Sequence, residues 1–291
     1  MHVSQIGEFG LIKALKKLVP VSQGVIKGIG DDAAVLPYNK SEYLLLTTDM
    51  LAEGVHFTRR MPPEGIGHKA LACNISDIAA MGGRPTFAVV SIGVPGNLPV
   101  DFIKDVYRGM ERTAKDFGVS IVGGDTIKSG KIVVNVALLG RVEKKNLVTR
   151  GGAKPGDWIF VTGPLGGSLK SGRHLKFVPR LGPARFLVER FTPHAMIDIS
   201  DGLAGDLGHI LEASRAGARL DYDCIPRHKG VSLAQALNDG EDFELLFTLG
   251  TRQAQALMDW QARQKSFYFY PVGTITADVK EKPDARSFTH F

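Results

Sequence analysis

Five carboxylate-bearing segments constrain how this chain can fold. Each brings aspartate next to glycine or a small polar residue at the end of an apolar stretch, at 28–32, 47–49, 74–77, 123–126 and 198–202. Singly, each has a plain reading, because aspartate beside glycine is common in turns and serine or aspartate before an apolar run often caps a helix. Together, strands ending in aspartate would gather acids at one edge of a sheet, where their repulsion requires cations. The chain is therefore expected to fold around a shared acidic site.

The donor atoms of these segments indicate which cation is bound. Mg²⁺ prefers carboxylate and water oxygens together with substrate phosphates, and here threonine and serine hydroxyls accompany the aspartates. Glycines at 123 and 124 would let the backbone approach a phosphate closely beside Asp125. Magnesium with a polyphosphate substrate suits this set better than zinc or iron chemistry does.

Motifs that the chain lacks narrow the class of enzyme. There is no G-x-x-x-x-G-K-[ST] loop and no H-R-D or D-F-G set, so a nucleotide site here is of another type. There is also no G-x-S-x-G elbow, and His56 and His209 have no evident nucleophile partner in the sequence, which argues against a serine hydrolase.

Apolar periodicity and glycine or proline punctuation predict alternating helices and strands. The first half is expected to hold helices at 8–18, 64–81 and 99–117 and strands at 43–48, 86–93, 119–122 and 132–140. The second half is expected to hold strands at 158–162, 195–199 and 245–247, and helices at 183–191 and from Asp201, with a further helix and strand. A Gly/Pro-rich turn cluster at 149–157 separates the halves. The predicted fold class is α+β, with one mixed α/β domain at 1–146 and a second at 147–291.

Charge, apolar content and cysteine content indicate which binding partners and which cellular compartment are expected. The net charge is +6, but the basic residues do not form a block interleaved with aromatic residues, so nucleic-acid binding is not expected. No apolar run is long enough to span a bilayer, so no membrane association is expected. Only two cysteines occur and neither has a CxxC partner, which favours a reducing, cytoplasmic location.

The motifs resemble those of the thiamine-monophosphate kinase family, within the superfamily of aminoimidazole ribonucleotide synthetase. The shared motifs are G-I-G-D-D, T-T-D, N-I-S-D, G-G-D-T, D-I-S-D-G and G-E-D-F-E, and the resemblance extends over 7–9, 28–34, 47–57, 69–82, 123–126, 152–157, 197–203, 206–207 and 240–245. The acidic motifs are shared across the superfamily. The E-G-V-H-F segment after T-T-D and the closing F-T-H-F are more particular to the thiamine-phosphate branch.

This resemblance implies in-line phosphoryl transfer from ATP to thiamine monophosphate, the last step of thiamine diphosphate biosynthesis, in a homodimer whose N-terminal sheets pair. The implied metal ligands are Asp32, Thr47, Thr48, Asp49, Asp77, Asp125, Asp198 and Asp201. Implied nucleotide contacts are Gly124, Asp125, Arg150, Ser200 and Tyr107, and implied substrate contacts are His56, Glu241 and Phe288. Catalysis is expected to depend on Asp49, Asp77, Asp125 and Arg150.

Plainer readings stay open for several of these residues. His56 could be a polar loop residue, Phe288 a packed terminal aromatic, Arg150 a linker cation, and Tyr107 a helix residue facing the interior. Other functions also stay open, namely a sister enzyme of the superfamily or a catalytically silent nucleotide-binding protein. The sister enzymes that need a reactive cysteine in an N-terminal loop or at the C-terminus do not fit this sequence.

Overall fold

The structure is a computed structural model that describes residues 2–263 and 267–283. Its helices are α1 (Val3–Leu18), α2 (Pro63–Ala80), α3 (Val100–Phe117), α4 (Ser168–Ser171), α5 (Leu181–Arg190), α6 (Leu203–Ser214), α7 (Leu233–Asn238) and α8 (Thr251–Gln261). Its strands are β1 (Ala34–Pro37), β2 (Glu42–Ala52), β3 (Arg84–Val94), β4 (Ser120–Lys128), β5 (Val133–Glu143), β6 (Trp158–Val161), β7 (Ala195–Asp198), β8 (Gly217–Leu220), β9 (Leu245–Leu249) and β10 (Tyr270–Thr276). Within these ranges no helix is long and apolar enough to cross a membrane.

The first sheet has the strand order β1-β2-β5-β3-β4. Strand β5 pairs antiparallel with both β2 and β3, whereas β4 runs parallel to β3 at the edge. Apolar residues alternate along these strands, and the inward set, which includes Leu45, Val90 and Val136, packs with residues of α2 and α3. Side chains alternate between the two faces of a sheet, so the outward set of these strands, which includes Leu46, Phe87 and Val89, points away from this core and is exposed.

Helices α2 and α3 cross at an unusually short distance because glycines meet there. A Cβ atom on Gly67 would lie 1.8 Å from the carbonyl oxygen of Val106, and one on Gly109 would lie 1.9 Å from that of Glu64. No side chain fits at either position, so the two helix backbones touch directly. This contact fixes α2 tightly over the first sheet.

The second sheet has the order β7-β9-β6-β10-β8, with every neighbouring pair antiparallel. One face packs against α6 and α7 through residues such as Leu207 and Ala236. The other face packs against α5 and α8 through Leu187 and Leu257, and this cluster also includes Ala79 and Ala80 of α2. Helix α2 is therefore held between the first sheet and the second half of the chain.

The predicted fold class of mixed α/β with two sheets is confirmed, but two strands are longer than predicted. Strand β2 continues to Ala52 because it pairs with β5 over its whole length, and β4 continues to Lys128 beside β3. Asp49 and Asp125 therefore lie inside strands. The expectation that they follow strand ends was wrong, and an interior position means that strand alternation decides which way each side chain points.

Candidate functional site

Three aspartates from distant parts of the chain form the centre of the site. Asp32 precedes β1, Asp77 lies on the last turn of α2, and Asp198 ends β7. One carboxylate oxygen from each lies within 4.8 Å of the others. The three elements meet because α2 is packed between the two sheets.

Hydroxyl and amide side chains hold these carboxylates in place. Ser76 donates from Oγ to Asp198 Oδ2 at 2.6 Å, and Thr47 donates from Oγ1 to Asp77 Oδ2. The fourth acid, Asp49, is fixed through its backbone, whose N–H donates to Asn74 Oδ1 at 3.1 Å. The N-I-S-D motif of α2 thus organises the acids contributed by β2 and β7.

Burial and mutual repulsion make the four acids reluctant to ionise without a counter-ion. Burial raises the pKa of Asp32 to about 7, against the opposing charge of Arg150. Burial also raises the pKa of Asp49 and of Asp198 to about 6, and that of Asp77 well above its usual range, with neighbouring carboxylates adding to each shift. Asp32 Oδ2 is buried without a hydrogen-bond partner. An all-oxygen set with an unpartnered buried carboxylate oxygen fits a divalent cation such as Mg²⁺.

Metal-free protein should lose stability as the pH rises. Asp32, Asp49 and Asp198 have pKa values above those of aspartate in the unfolded chain, so between about pH 4 and pH 7 the folded state binds more protons than the unfolded state does. The folded state therefore becomes less stable as these protons dissociate with rising pH. We expect the Tm in EDTA to be at least roughly 5 °C lower at about pH 7.5 than at about pH 5. Differential scanning fluorimetry with and without Mg²⁺ measures this. A Tm that rises with pH in EDTA would contradict the ionisation behaviour described here.

Arg150 borders the acidic centre and pairs with the loop before β1. Its Nε and Nη2 atoms both donate to Asp32 Oδ1, at 3.1 and 2.6 Å, and its backbone N–H donates to Asp31 Oδ1 at 3.1 Å. Burial alone would lower the pKa of Arg150, but the charge of Asp32 raises it above its usual value. The guanidinium is therefore a fixed cation beside the site rather than a mobile linker side chain.

A cleft of about 300 Å³ opens from the acidic centre. Four acids of the centre and the loop after β7 line it, namely Asp49, Asp77, Asp198 and Asp201, together with Ser200. His56, Lys69, Glu241 and Phe243 also line it, as does Glu8 of α1. His56 is held in place because Ala52 donates its N–H to the Nδ1 atom, at 3.0 Å.

The loop that carries Glu241 has an uncommon backbone conformation. Glu241 and Phe243 adopt positive φ angles of 59° and 52°, which is uncommon for residues with side chains. The loop is tied to the end of β7, since Glu241 donates its N–H to Ser200 O at 2.7 Å and Phe243 donates to Ile199 O at 2.8 Å. Such strain persists where surrounding contacts over-determine it, often at binding sites.

Several residues expected at the site lie elsewhere in this chain. Thr48 points to the opposite face of β2 from Thr47 and donates to Val136 O at 3.0 Å. Gly124 and Asp125 lie on edge strand β4, three strand spacings or about 14 Å from β2. A Cβ on Gly124 would lie 1.8 Å from Val90 O, so close strand pairing already requires glycine there.

Tyr107 and Phe288 are two further residues that the sequence predicts at the site. Tyr107 packs against the hydrophobic core under the first sheet, in agreement with its plainer reading. Phe288 lies outside the described residues. The assigned roles of both residues, like those of Thr48, Gly124 and Asp125, stay predictions.

Sequence reasoning missed Lys69, Asn74, Ser76 and Phe243 as site residues. Asn74 and Ser76 belong to the N-I-S-D motif, in which only the aspartate, Asp77, was predicted to be a site residue. Lys69 is 1% exposed on an apolar helix, and a lysine in such a buried run is a signal in itself, since lysine is almost never fully buried unless paired.

Sequence comparison finds relatives over nearly the whole chain. The family described as AIR synthase related protein, N-terminal domain, matches residues 30–142. Thiamine-monophosphate kinase of Buchnera aphidicola subsp. Schizaphis graminum is 36% identical over 305 residues, covering 95% of this chain and 93% of that protein. The Aquifex aeolicus thiamine-monophosphate kinase is 36% identical over 280 residues, covering 85% and 87%.

Solved structures resemble the whole fold. The structure of AaThiL complexed with AMPPCP and TMP has a TM-score of 0.88 and 32% identity, covering 100% of this chain and 99% of that chain. Thiamine monophosphate kinase from Aquifex aeolicus has a TM-score of 0.80 and 31% identity, covering 98% and 97%. The hydrogenase maturation protein HypE in complex with ATP, at 22% identity and a TM-score of 0.67, shares the fold.

Proposed function

The chain belongs to the thiamine-monophosphate kinase family, and we propose from this premise that its acidic cleft transfers the γ-phosphoryl group of ATP to thiamine monophosphate. The products are thiamine diphosphate and ADP. The observation that carries the proposal is the meeting of Asp32, Asp77 and Asp198 beside a cleft that also contains His56 and Glu241. A polyphosphate donor requires carboxylates that bind cations, and a cationic heterocycle requires further polar side chains in the same cleft.

The chemistry needs alignment more than proton removal. An oxygen of the monophosphate attacks the γ-phosphorus of ATP, and the bond from that phosphorus to the β–γ bridging oxygen breaks as ADP leaves. The attacking phosphate is already ionised at neutral pH, so no general base is required. The residues of the cleft therefore act by holding two anionic groups in line, with Arg150 neutralising charge beside Asp32.

Several Mg²⁺ ions would be held by the buried carboxylates. Asp32, Asp49, Asp77 and Asp198 provide the oxygen ligands, with Thr47 and Asp201 close by. When bound, Mg²⁺ supplies positive charge that screens the triphosphate and the attacking phosphate. The side chains of α2 contribute by fixing the carboxylates in place before substrates arrive.

Different residues are assigned to the nucleotide and to the substrate. Arg150, which pairs with Asp32, and Ser200 in the cleft lining suit the nucleotide phosphates, whereas His56 and Glu241 suit thiamine monophosphate. Phe243 adds an aromatic surface, and it stacks on Phe177 at 4.1 Å between ring centroids. A cationic thiazolium ring can gain from such a face.

A homodimer formed through the first sheet is part of the proposal. The face of that sheet that points away from α2 and α3 exposes large apolar side chains, namely Leu46, Met50, Phe87, Val89, Val122 and Ile127. A contiguous exposed apolar surface beside an open edge strand is typical of an interaction site. A second copy on this face would surround Thr48 and Asp125, which this chain alone leaves about 14 Å apart.

The proposal also includes two domains, at 1–146 and 147–291, and a cytoplasmic location. The two free cysteines support the cytoplasmic location.

Val89→Asp should separate the dimer. Val89 is 42% exposed on the apolar face of β3, and a carboxylate buried there without a partner would weaken association at least about a hundredfold. Sedimentation velocity on the wild type and the variant measures this, with Val100→Asp on the exposed start of α3 as the matched control. A wild type that is monomeric and fully active at micromolar concentration would exclude the dimer.

The test of function is product formation with purified protein, ATP, Mg²⁺ and thiamine monophosphate. Free thiamine and an aminoimidazole precursor serve as control acceptors. We expect thiamine diphosphate from the monophosphate alone and only when Mg²⁺ is present. Turnover of the aminoimidazole precursor would favour a sister enzyme, and nucleotide binding without turnover of any acceptor would favour a silent binding protein.

A further inference from the structure

A buried lysine belongs to the lining of the cleft. Lys69 of α2 is 1% exposed, and its Nζ lies 2.5 Å from Glu241 Oε2 and 3.3 Å from His174 Nδ1. Lysine is rarely buried to this extent without a partner, because its ammonium group loses its hydration. Here the partners come from two separate segments of the second half of the chain, so Lys69 fastens both to α2.

The orientation of the Glu241 carboxylate depends on this contact. Oε2 is buried and its only described partner is Lys69, whereas the side chain as a whole is 18% exposed and lines the cleft. This leaves Oε1 as the oxygen available to a ligand. The strained backbone at Glu241 does not fix the side-chain torsions, so the ion pair with Lys69 is what holds the carboxylate in one rotamer.

His174 holds the ammonium group from the other side. Burial and the charge of Lys69 lower the pKa of His174 to about 4, so the imidazole is neutral and its Nδ1 can accept from Nζ. His174 itself is fully buried. Lys69 is thus held at two points and is too enclosed to bind a phosphate group itself.

We propose that Lys69 is a positioning residue that presents Glu241 to the heterocyclic part of thiamine monophosphate, an inference that rests on the proposed function. Without Lys69, the buried carboxylate of Glu241 would lose its ion-pair partner and its fixed orientation. The affinity for thiamine monophosphate, and not that for ATP, should then fall.

A double-mutant cycle between Lys69→Met and Glu241→Gln tests this. Each single variant is expected to raise the KM for thiamine monophosphate at least about tenfold while the KM for ATP stays within about twofold. Because Lys69 acts through Glu241, the double variant should be no worse than the worse single variant. Lys104→Met, an exposed lysine on α3, is the matched control.

Each other outcome overturns the inference in a distinguishable way. Effects that multiply in the double variant would mean that Lys69 meets the substrate independently of Glu241. An equal rise in both KM values would mean a general structural role. If Lys69→Met does not fold, the cycle is run with His174→Ala, which should raise the KM for thiamine monophosphate only when Glu241 is intact. A wild type that forms no thiamine diphosphate would instead overturn the proposed function, and this inference with it.

Discussion

Asp77→Asn is expected to abolish turnover and yet raise the thermal stability of the metal-free protein. Asp77 shares the buried centre with Asp32 and Asp198, and these carboxylates raise one another's pKa. Loss of a ligand removes charge stabilisation of several kcal/mol, or roughly 10³-fold in kcat. The same change replaces a buried carboxyl group whose ionisation is unfavourable, while an amide oxygen can still accept from Thr47. A rise of roughly 3 °C in Tm in EDTA should follow.

The opposite signs of these two effects make the prediction specific. Asp101→Asn, on the exposed surface of α3, is the matched control and should leave both turnover and Tm unchanged. Steady-state kinetics at saturating Mg²⁺ and scanning fluorimetry in EDTA provide the two readouts. Normal turnover would remove Asp77 from the ligand set, and a lower Tm would mean that the acids are not in mutual repulsion.

Arg150→Met should lower both activity and stability. Its guanidinium pairs with Asp32 through two nitrogens, and the Asp32 side chain is fully buried. Removing one partner of a buried pair leaves an uncompensated charge and is strongly destabilising. We expect the Tm in EDTA to fall, and kcat/KM for ATP to fall by roughly 10²-fold or more, as for loss of a fixed charge that stabilises the transition state.

Arg150→Lys tests whether the charge of this side chain or its shape is required. A lysine keeps the positive charge but lacks the planar guanidinium group, so relative to Arg150→Met it should recover most of the Tm and little of kcat/KM for ATP. Arg252→Met on the exposed surface of α8 controls for loss of an arginine elsewhere. Full activity in both Arg150 variants would mean that this residue only supports the loop before β1.

The acidic centre was predictable from sequence, whereas the direction of its side chains was not. The family resemblance implied that Thr47, Thr48 and Asp49 are all metal ligands, and the predicted strand ended at Thr48. The strand continues to Ala52, so Thr47 and Asp49 face the cleft and Thr48 faces away. The alternation of side chains along a strand would have predicted this if the full extent of β2 had been known.

Other parts of the site depend on contacts between distant segments. Nothing local in the sequence shows that Glu241 returns to the end of β7, or that His174 meets Lys69 across 105 positions. These meetings are set by the packing of α2 between the sheets. The distance of Asp125 from the acidic centre likewise follows from strand order, which propensity and periodicity do not determine.

The position of α2 has a mechanical consequence. A helix that is locked to α3 by glycine contacts on one side and to the second half on the other cannot shift without disturbing two cores at once. Its amide hydrogens should therefore be among the slowest to exchange with solvent. Any movement that opens the cleft must therefore displace other segments while α2 stays in place.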